Sequence, residues 1–198
     1  MNRPFADGKG RCVYSGSNKI AIKSQRKLLD SLLQLMREKP LDSISVNEVC
    51  KSAKISRQTF YTLFESKSNA VKVIFQEQCP VDFNAVPEPL AKAAALDRVC
   101  AAFSVYVSDN RTMLRIMFQN DLDSIVVDSF AQALESVDGL VNPQYEHRRN
   151  LVIMFMAGGL AAVARSFSMA ATPTRAGAIE RAALFLVSQD AFEETQRL

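Results

Sequence analysis

The stretch SVNEVCKSAKISRQTFYTLFESK, residues 45–67, carries the clearest local structure signals in the chain. Ser45 is followed three residues later by Glu48, which is the spacing of a capping box, where each side chain satisfies an unpaired amide of a first helical turn. Ile44 and Val49 stand at the two positions of a hydrophobic staple. These signals predict a helix that begins directly after Ser45.

A second helix start follows at Ser56, with Ile55 and Phe60 at the matching staple positions. We therefore predict a tight turn at Lys54 and Ile55. The apolar residues of the second helix share one face: Phe60, Leu63 and Phe64. Its other sides carry polar groups: Arg57, Gln58, Thr59, Tyr61 and Thr62. Such groups reach base edges and phosphates when a helix lies in the major groove, so the pattern is typical of a helix-turn-helix DNA reader.

The composition of the whole chain favours an all-α fold. Of the 198 residues, 48% are hydrophobic and 23% are charged, which is ordinary for a soluble globular protein. Only seven Gly and seven Pro occur, and strand-like alternation does not recur. Because no apolar run is unbroken over the roughly 20 residues of a membrane span, we expect no membrane association and a cytoplasmic, nucleoid-associated protein.

Charge is distributed unevenly between the two parts of the chain. Residues 1–79 contain 14 Lys and Arg against 7 Asp and Glu, whereas residues 80–198 contain 10 against 14. A basic first part suits a module that binds a polyanion, attached to a part that does not. Uneven solvated charge without a function is the alternative.

The first part divides into an arm and a helical bundle. Residues 1–22 lack periodicity and are predicted to form a flexible basic arm, which either touches DNA or has no role. Residues 23–79 are predicted to form the DNA-binding domain, with a first helix over 24–39, the two helices described above, and a fourth over 67–78. Pro40 ends the first helix.

A larger all-helical domain is predicted over residues 80–198. Pro80, Pro87 and Pro89 interrupt the helical pattern and indicate a hinge at its start. Apolar periodicity then predicts helices over 90–107, 112–120, 124–137, 145–171 and 175–192.

Small residues mark the last two of these helices. Glycine inside a helix costs about 0.8–1 kcal/mol relative to alanine, so a pair of glycines calls for a packing explanation. One explanation is a homodimer interface of four helices, two from each subunit. The other explanation is close packing within one subunit. The candidate interface residues are Gly158, Gly159, Ala162, Ala182 and Leu186.

The run ISRQTFYTLFESK, residues 55–67, together with residues 26–29, 45–48 and Ala53, resembles the TetR/AcrR family of transcriptional regulators. The resemblance implies an N-terminal DNA-binding bundle on an all-helical domain for ligand binding and dimerisation. It also implies phosphate contacts by Tyr61 and Lys67. The other DNA-binding positions that it implies are Ser45 and Thr59 as helpers at helix starts, Arg57, Gln58 and Thr62 toward the bases, and Asn47 near the groove edge. One departure is Lys54, which stands where the family usually has glycine.

The function expected from this resemblance is that of a homodimeric repressor that binds a palindromic double-stranded operator. A small-molecule effector in the second domain would release the DNA. Apolar residues in that domain are candidates for lining the effector cavity, although plain core is the alternative: Phe103, Tyr106, Met113, Met117, Phe118, Met154 and Phe155. The competing hypothesis is a nucleoid-associated or partner-binding protein without an effector.

An enzymatic function is not expected, because the chain contains no glycine-rich phosphate loop and no nucleophile elbow. His147 is most simply a solvated residue at a helix start, and the acidic cluster around Asp123 is more typical of a helix N-terminus than of a metal site. The four cysteines are widely scattered, which favours neither disulfides nor zinc binding. Cys50 is predicted to be a core residue, with redox sensing as the alternative. No metal and no cofactor are therefore predicted.

Overall fold

A computed structural model describes residues 19–86, 92–172 and 175–187, with side chains for all of these except residues 185–187. All regular secondary structure in these ranges is helical, which confirms the all-α prediction. The chain divides into two compact units, Met1–Pro80 and Val81–Leu198. The roles predicted for them, DNA binding in one and effector binding and dimerisation in the other, stay predictions at this point.

The first unit contains four α-helices: α1 (Lys19–Glu38), α2 (Val46–Ala53), α3 (Arg57–Phe64) and α4 (Lys67–Gln78). A short 3-10 turn, Leu41–Ser43, connects α1 to α2. Helix α1 contacts the other three helices, and its leucines supply much of the buried surface. The repeat of those leucines at helical spacing explains why α1 is the element on which the other helices pack.

Helix α1 begins at Lys19, earlier than the predicted start. Residues 19–22, which the sequence prediction gave to the arm, are therefore helical. Lys19, Ile20 and Ile22 are exposed and Ala21 is half-buried, so this first turn has no buried apolar face that the leucine pattern could have indicated. Residues 1–18 of the predicted arm lie outside the described residues.

The second unit contains α5 (Ala95–Asp109), α6 (Arg111–Gln119), α7 (Asp123–Glu135), α8 (Arg149–Met169) and α9 (Ala176–Val187). Each lies within, or at most two residues outside, a range predicted from apolar periodicity. An aromatic cluster forms part of the core: the ring centroid of Phe130 lies within 5.9 Å of the ring centroids of Phe83, Phe103 and Tyr106.

Of the three hinge prolines, Pro80 is exposed and follows the end of α4, and Pro87 and Pro89 lie outside the described residues.

Helix α8 is the central helix of this unit and contacts α5, α6, α7 and α9. Together with the turn before it, the segment Pro143–Met169 is the one helix in the described ranges that is long and apolar enough to cross a membrane, with a mean hydropathy of 1.7. The sequence prediction excluded such a segment by requiring an unbroken apolar run, a criterion that is too strict. A core helix of a soluble protein can have the same length and composition; 44% of the most apolar window of this segment is buried, and α8 contacts four neighbouring helices.

Three cysteines are buried and free: Cys50, Cys79 and Cys100. Burial raises the pKa of the Cys79 thiol to about 11 and that of Cys100 to about 12, and it also raises the pKa of Cys50. These thiols are therefore protonated near neutral pH, which disfavours oxidation chemistry and favours the core interpretation of Cys50. Cys12 lies outside the described residues.

Candidate nucleic-acid interface

The start of α2 is fixed by the predicted capping box. Ser45 Oγ accepts a hydrogen bond from the Glu48 amide at 3.2 Å, and Glu48 Oε2 accepts one from the Ser45 amide at 2.9 Å. Lys39 Nζ, which the sequence prediction missed, contacts Glu48 Oε1 at 2.5 Å. The hydrogen bonds from Lys39 and Ser45 lower the pKa of Glu48 to about 2, so the box holds its charge throughout the neutral range.

The turn between α2 and α3 has left-handed backbone at Lys54, with φ 56° and ψ 43°. The Lys54 amide donates to the carbonyls of Cys50 and Lys51, and the Ile55 amide also donates to Cys50 at 3.0 Å. These bonds satisfy the last carbonyls of α2. Lysine disfavours this conformation relative to glycine by about 1 kcal/mol.

Helix α3 begins at Arg57, directly after the predicted cap residue Ser56, whose Oγ accepts from the Thr59 amide at 3.1 Å. One face is buried and consists of the predicted residues Phe60, Leu63 and Phe64. Arg57, Gln58 and Thr62 are exposed, and Tyr61 is 46% exposed. Thr59 is half-buried, because its hydroxyl lies 2.8 Å from Ser56 Oγ at the cap. The helix therefore packs on one side and presents polar groups on the other.

Thr62 uses its hydroxyl within its own helix. Its Oγ1 donates to the Gln58 carbonyl at 2.9 Å, a hydrogen bond that the sequence analysis did not predict. The hydroxyl oxygen keeps lone pairs for a donor, but its proton is occupied. In this rotamer Thr62 offers an acceptor and a methyl group to a partner, and not a donor.

Lys67 joins the start of α4 to the turn before α2. Its Nζ donates to the Leu41 carbonyl at 2.7 Å and to the Ile44 carbonyl at 2.6 Å. An ammonium has three donors, so one remains for a phosphate. The phosphate contact stays a prediction, but Lys67 has a structural role that the sequence prediction did not include.

Exposed cations surround the turn: Lys51, Lys54 and Arg57. Within the described ranges none of them lies in an ion pair with a carboxylate. Asn47 is exposed on α2, and Ser45 is exposed at the start of that helix, with its hydroxyl donating to Glu48 Oε2 at 3.1 Å. The exposed polar side of α3 thus lies beside unpaired positive charge, which a polyanion would neutralise.

Comparison with known families supports this interpretation. Residues 28–71 match the model of the family described as "Bacterial regulatory proteins, tetR family". The chain carries the DNA-binding domain of the TetR family. This match supports a DNA-binding transcriptional regulator. The match spans α2, α3 and most of α1, and it ends within α4. No curated protein matches the chain in a sequence search.

The candidate effector residues fall into two groups by burial. Five are buried in the second unit: Phe103, Tyr106, Met113, Met117 and Phe118. Met154 and Phe155 are about half exposed on α8 (48% and 52%). The effector-binding role of all seven residues stays a prediction.

Of the candidate interface residues on α8, Gly158 and Gly159 are half-buried and Ala162 is exposed. Among the described residues, and apart from the adjoining backbone of its own helix, no heavy atom lies within 4 Å of the position that a Cβ on Gly158 would take. Packing against the described residues of one chain therefore does not account for this glycine. On α9, Ala182 is half-buried, whereas the side chain of Leu186 lies outside the described residues.

Two arginines of α6 hold the end of α8. The guanidinium of Arg111 donates to the Ala170 carbonyl, and that of Arg115 donates to the same carbonyl at 3.0 Å. Cations at a helix C-terminus are favoured by its partial negative charge. Asp123 is paired with Arg165 at 2.6 Å, and in the described ranges no group of three or more acidic, cysteine or histidine side chains is placed to bind a metal ion.

Proposed function

We propose that the protein is a homodimeric repressor that reads a palindromic operator through α3 and releases it when a small molecule binds the second unit. The observation that carries the DNA-reading part is the division of α3 into a buried apolar face and an exposed polar face, held by caps at Ser45 and Ser56. A rigid frame lowers the entropic cost of presenting side chains to the groove.

In this proposal the residues of α3 have separate tasks. Arg57, Gln58 and Thr62 face the bases, whereas Tyr61 and the free donor of Lys67 hold phosphates. Ser45 and Thr59 support the helix starts, and Asn47 approaches the groove edge. Base contacts determine the preferred sequence, whereas phosphate contacts strengthen binding to all duplexes.

The experiment for this part is selection of binding sites from random duplexes, followed by gel-shift measurements. Arg57→Ala should reduce the ratio of operator to random-duplex affinity by about tenfold, since a bidentate base contact contributes about 1–3 kcal/mol of discrimination. Arg37→Ala, in the last turn of α1, is the matched control and should keep that ratio. Equal losses on operator and random duplex would contradict a base-reading role of Arg57.

Dimerisation through α8 is supported by exposed apolar surface on one side of that helix. Leu151 is 66% exposed, and Met154, Ala162 and Met169 are exposed along the same side, where no described residue packs against Gly158. We call these five residues the α8 stripe. A second copy would bury it, and the two copies of α3 would then enter major grooves roughly 34–36 Å apart.

Light scattering after size-exclusion chromatography tests the dimer. Ala162→Glu places a charge in the α8 stripe and should convert the protein to monomer, because an unpaired buried charge is strongly unfavourable. Val105→Glu, which changes another exposed apolar residue of the same unit, should leave the dimer intact. A monomeric wild type, or a dimer unaffected by Ala162→Glu, would overturn the assignment.

Effector release is motivated by the buried apolar side chains of the second unit, among them Phe103, Met117 and Phe118, since ligand sites for small molecules are lined mainly by apolar residues. Genome-wide footprinting with and without candidate molecules provides the test. A few sites that empty on addition of one ligand would support the proposal. Many scattered sites that no ligand empties would instead support a nucleoid-associated or adaptor function.

A further inference from the structure

A cavity in the first unit lies between α1 and α4, apart from the exposed side of α3. Its volume is about 300 Å³, and Gln25, Leu29 and Ile74 are among the residues that line it. Leu29 and Ile74 are buried and make part of the wall apolar. The cavity is near the lower end of the range in which proteins bind small ligands.

Gln25 is the unusual residue of this cavity. It is only 7% exposed, and its Oε1 is buried with no hydrogen-bond donor in the described residues. A buried acceptor without a donor costs about 1–3 kcal/mol, so a polar residue at this position is unfavourable for folding alone. Rotation about the last side-chain bond exchanges the two ends of the amide, which lets the oxygen turn toward a donor in the cavity.

Charged groups at the cavity favour a cation. Asp30 and Glu77 contribute two carboxylates and Arg26 contributes one guanidinium, so the net charge of these three is negative. They form no ion pair with one another or with any other described residue. A ligand with N–H donors and positive charge would satisfy the Gln25 oxygen and the excess carboxylate together.

We propose that this cavity binds a small aliphatic ammonium ion, with the N–H donors directed to Gln25 and Glu77 and the hydrocarbon chain against Leu29 and Ile74. This site is separate from effector binding in the second unit, and either can fail without the other. Helix α4 also carries Lys67, which anchors the turn before α2. Ligand binding at this site therefore affects the packing that holds α2 and α3 in place.

The test uses the full chain and three probes of equal chain length: hexylammonium, hexanoate and 1-hexanol. Two-dimensional amide NMR spectra at constant ionic strength should show saturable shifts for hexylammonium with a Kd on the order of 1 mM, given the small size of the probe. The shifts should be largest in α1 and α4. Hexanoate and hexanol should bind at least tenfold more weakly.

Substitutions then assign the site. Gln25→Leu should raise the Kd for hexylammonium about tenfold, by loss of a hydrogen bond to a charged group, while Gln34→Leu on the exposed side of α1 should not. Glu77→Gln should raise it about two- to fivefold, and Glu38→Gln, an equal charge change on α1 outside the cavity, should not. Glu77 is exposed, so its variant will fold even if Gln25→Leu does not.

Three results would overturn the proposal. They are the absence of saturable shifts, equal affinity for all three probes, and equal effects of the cavity variants and their controls. Selective binding of hexylammonium that both cavity variants weaken would support it.

Discussion

Helices α3 and α8 divide their surfaces in different ways. Helix α3 alternates between apolar residues, which are buried, and polar residues, which are exposed. Helix α8 is apolar on nearly all sides, yet Leu151 and Met154 are exposed while Ile153 and Met156 are buried. The contrast shows that an apolar pattern locates a buried face only where polar residues mark the opposite face. In α8 the neighbouring helices decide which side is core.

The largest expected effect is a difference between two neighbouring aromatic residues of α3. Phe60→Ala should lower the free energy of unfolding by about 3–5 kcal/mol, because it empties a fully buried site, whereas Tyr61→Ala should cost less than about 1 kcal/mol. Urea unfolding followed by circular dichroism measures both. Comparable losses would show that the buried face of α3 is wrongly placed.

Substitution of Lys67 tests whether the stability of the helix-turn-helix bundle depends on hydrogen bonds between distant residues. Lys67→Met should reduce the free energy of unfolding by about 2 kcal/mol, since it removes a charged donor from the Leu41 and Ile44 carbonyls. It should also weaken binding to operator and random duplex alike. Lys72→Met, on the same helix and without such bonds, is the control for both measurements. Stability equal to that of the control would leave Lys67 with a phosphate role alone.

The left-handed turn residue should respond in the opposite direction from its neighbour. Lys54→Gly relieves the backbone strain and should stabilise the protein by about 1 kcal/mol. Lys51→Gly places glycine within α2 and should destabilise it by about the same amount. Thermal unfolding of the two variants gives the comparison, and a loss of stability in both would mean that the turn does not hold Lys54 at positive φ.

Helix α8 offers the matching test at Gly158. In the Ala162→Glu background, where the proposed dimer contact is removed, Gly158→Ala should stabilise the chain by about 0.8 kcal/mol. The gain follows from helix propensity, because no described residue packs against this glycine. A destabilised variant in the unfolding curve would show that the chain itself packs against Gly158.

The smallest effect concerns the pH dependence of the α2 cap. Because the pKa of Glu48 is lowered to about 2 from an ordinary value of 4.5, its stabilising contribution is complete above about pH 4.5. That contribution is lost as the pH falls from there through about 2. Carbon-detected NMR titration should give the low pKa in the wild type and a higher one in Lys39→Met. An unchanged pKa in the variant would remove Lys39 as a cause.

Local signals in the sequence were sufficient for the start of α2 and for both faces of α3. The capping residues and the apolar face involve groups within a few positions of one another, so their spacing alone is informative. The bonds from Lys67 to Leu41 and Ile44 join residues more than 20 positions apart. No local sequence pattern indicates contacts between residues so far apart, so the sequence analysis did not predict them.

In the second unit too, local patterns predicted the helices but not the contacts between them. Apolar periodicity located its helices to within a few residues, except that α5 begins at Ala95 and α8 at Arg149, later than predicted. The candidate effector residues were chosen as apolar and aromatic side chains at helical spacing. Spacing within one helix does not show which side the neighbouring helices cover. The sequence prediction therefore placed five buried residues and the two exposed residues of α8 in one candidate site.

By itself, the sequence determined the all-α class, the helix-turn-helix and the family of its DNA-binding domain, because caps, turns and apolar repeats act over short distances. Tertiary structure alone decided that Gln25 is buried with no donor among the described residues, that none of those residues packs against Gly158, and that Lys67 anchors the turn before α2. Each of these depends on which segments meet in space, and burial of a side chain is a property of all its neighbours together.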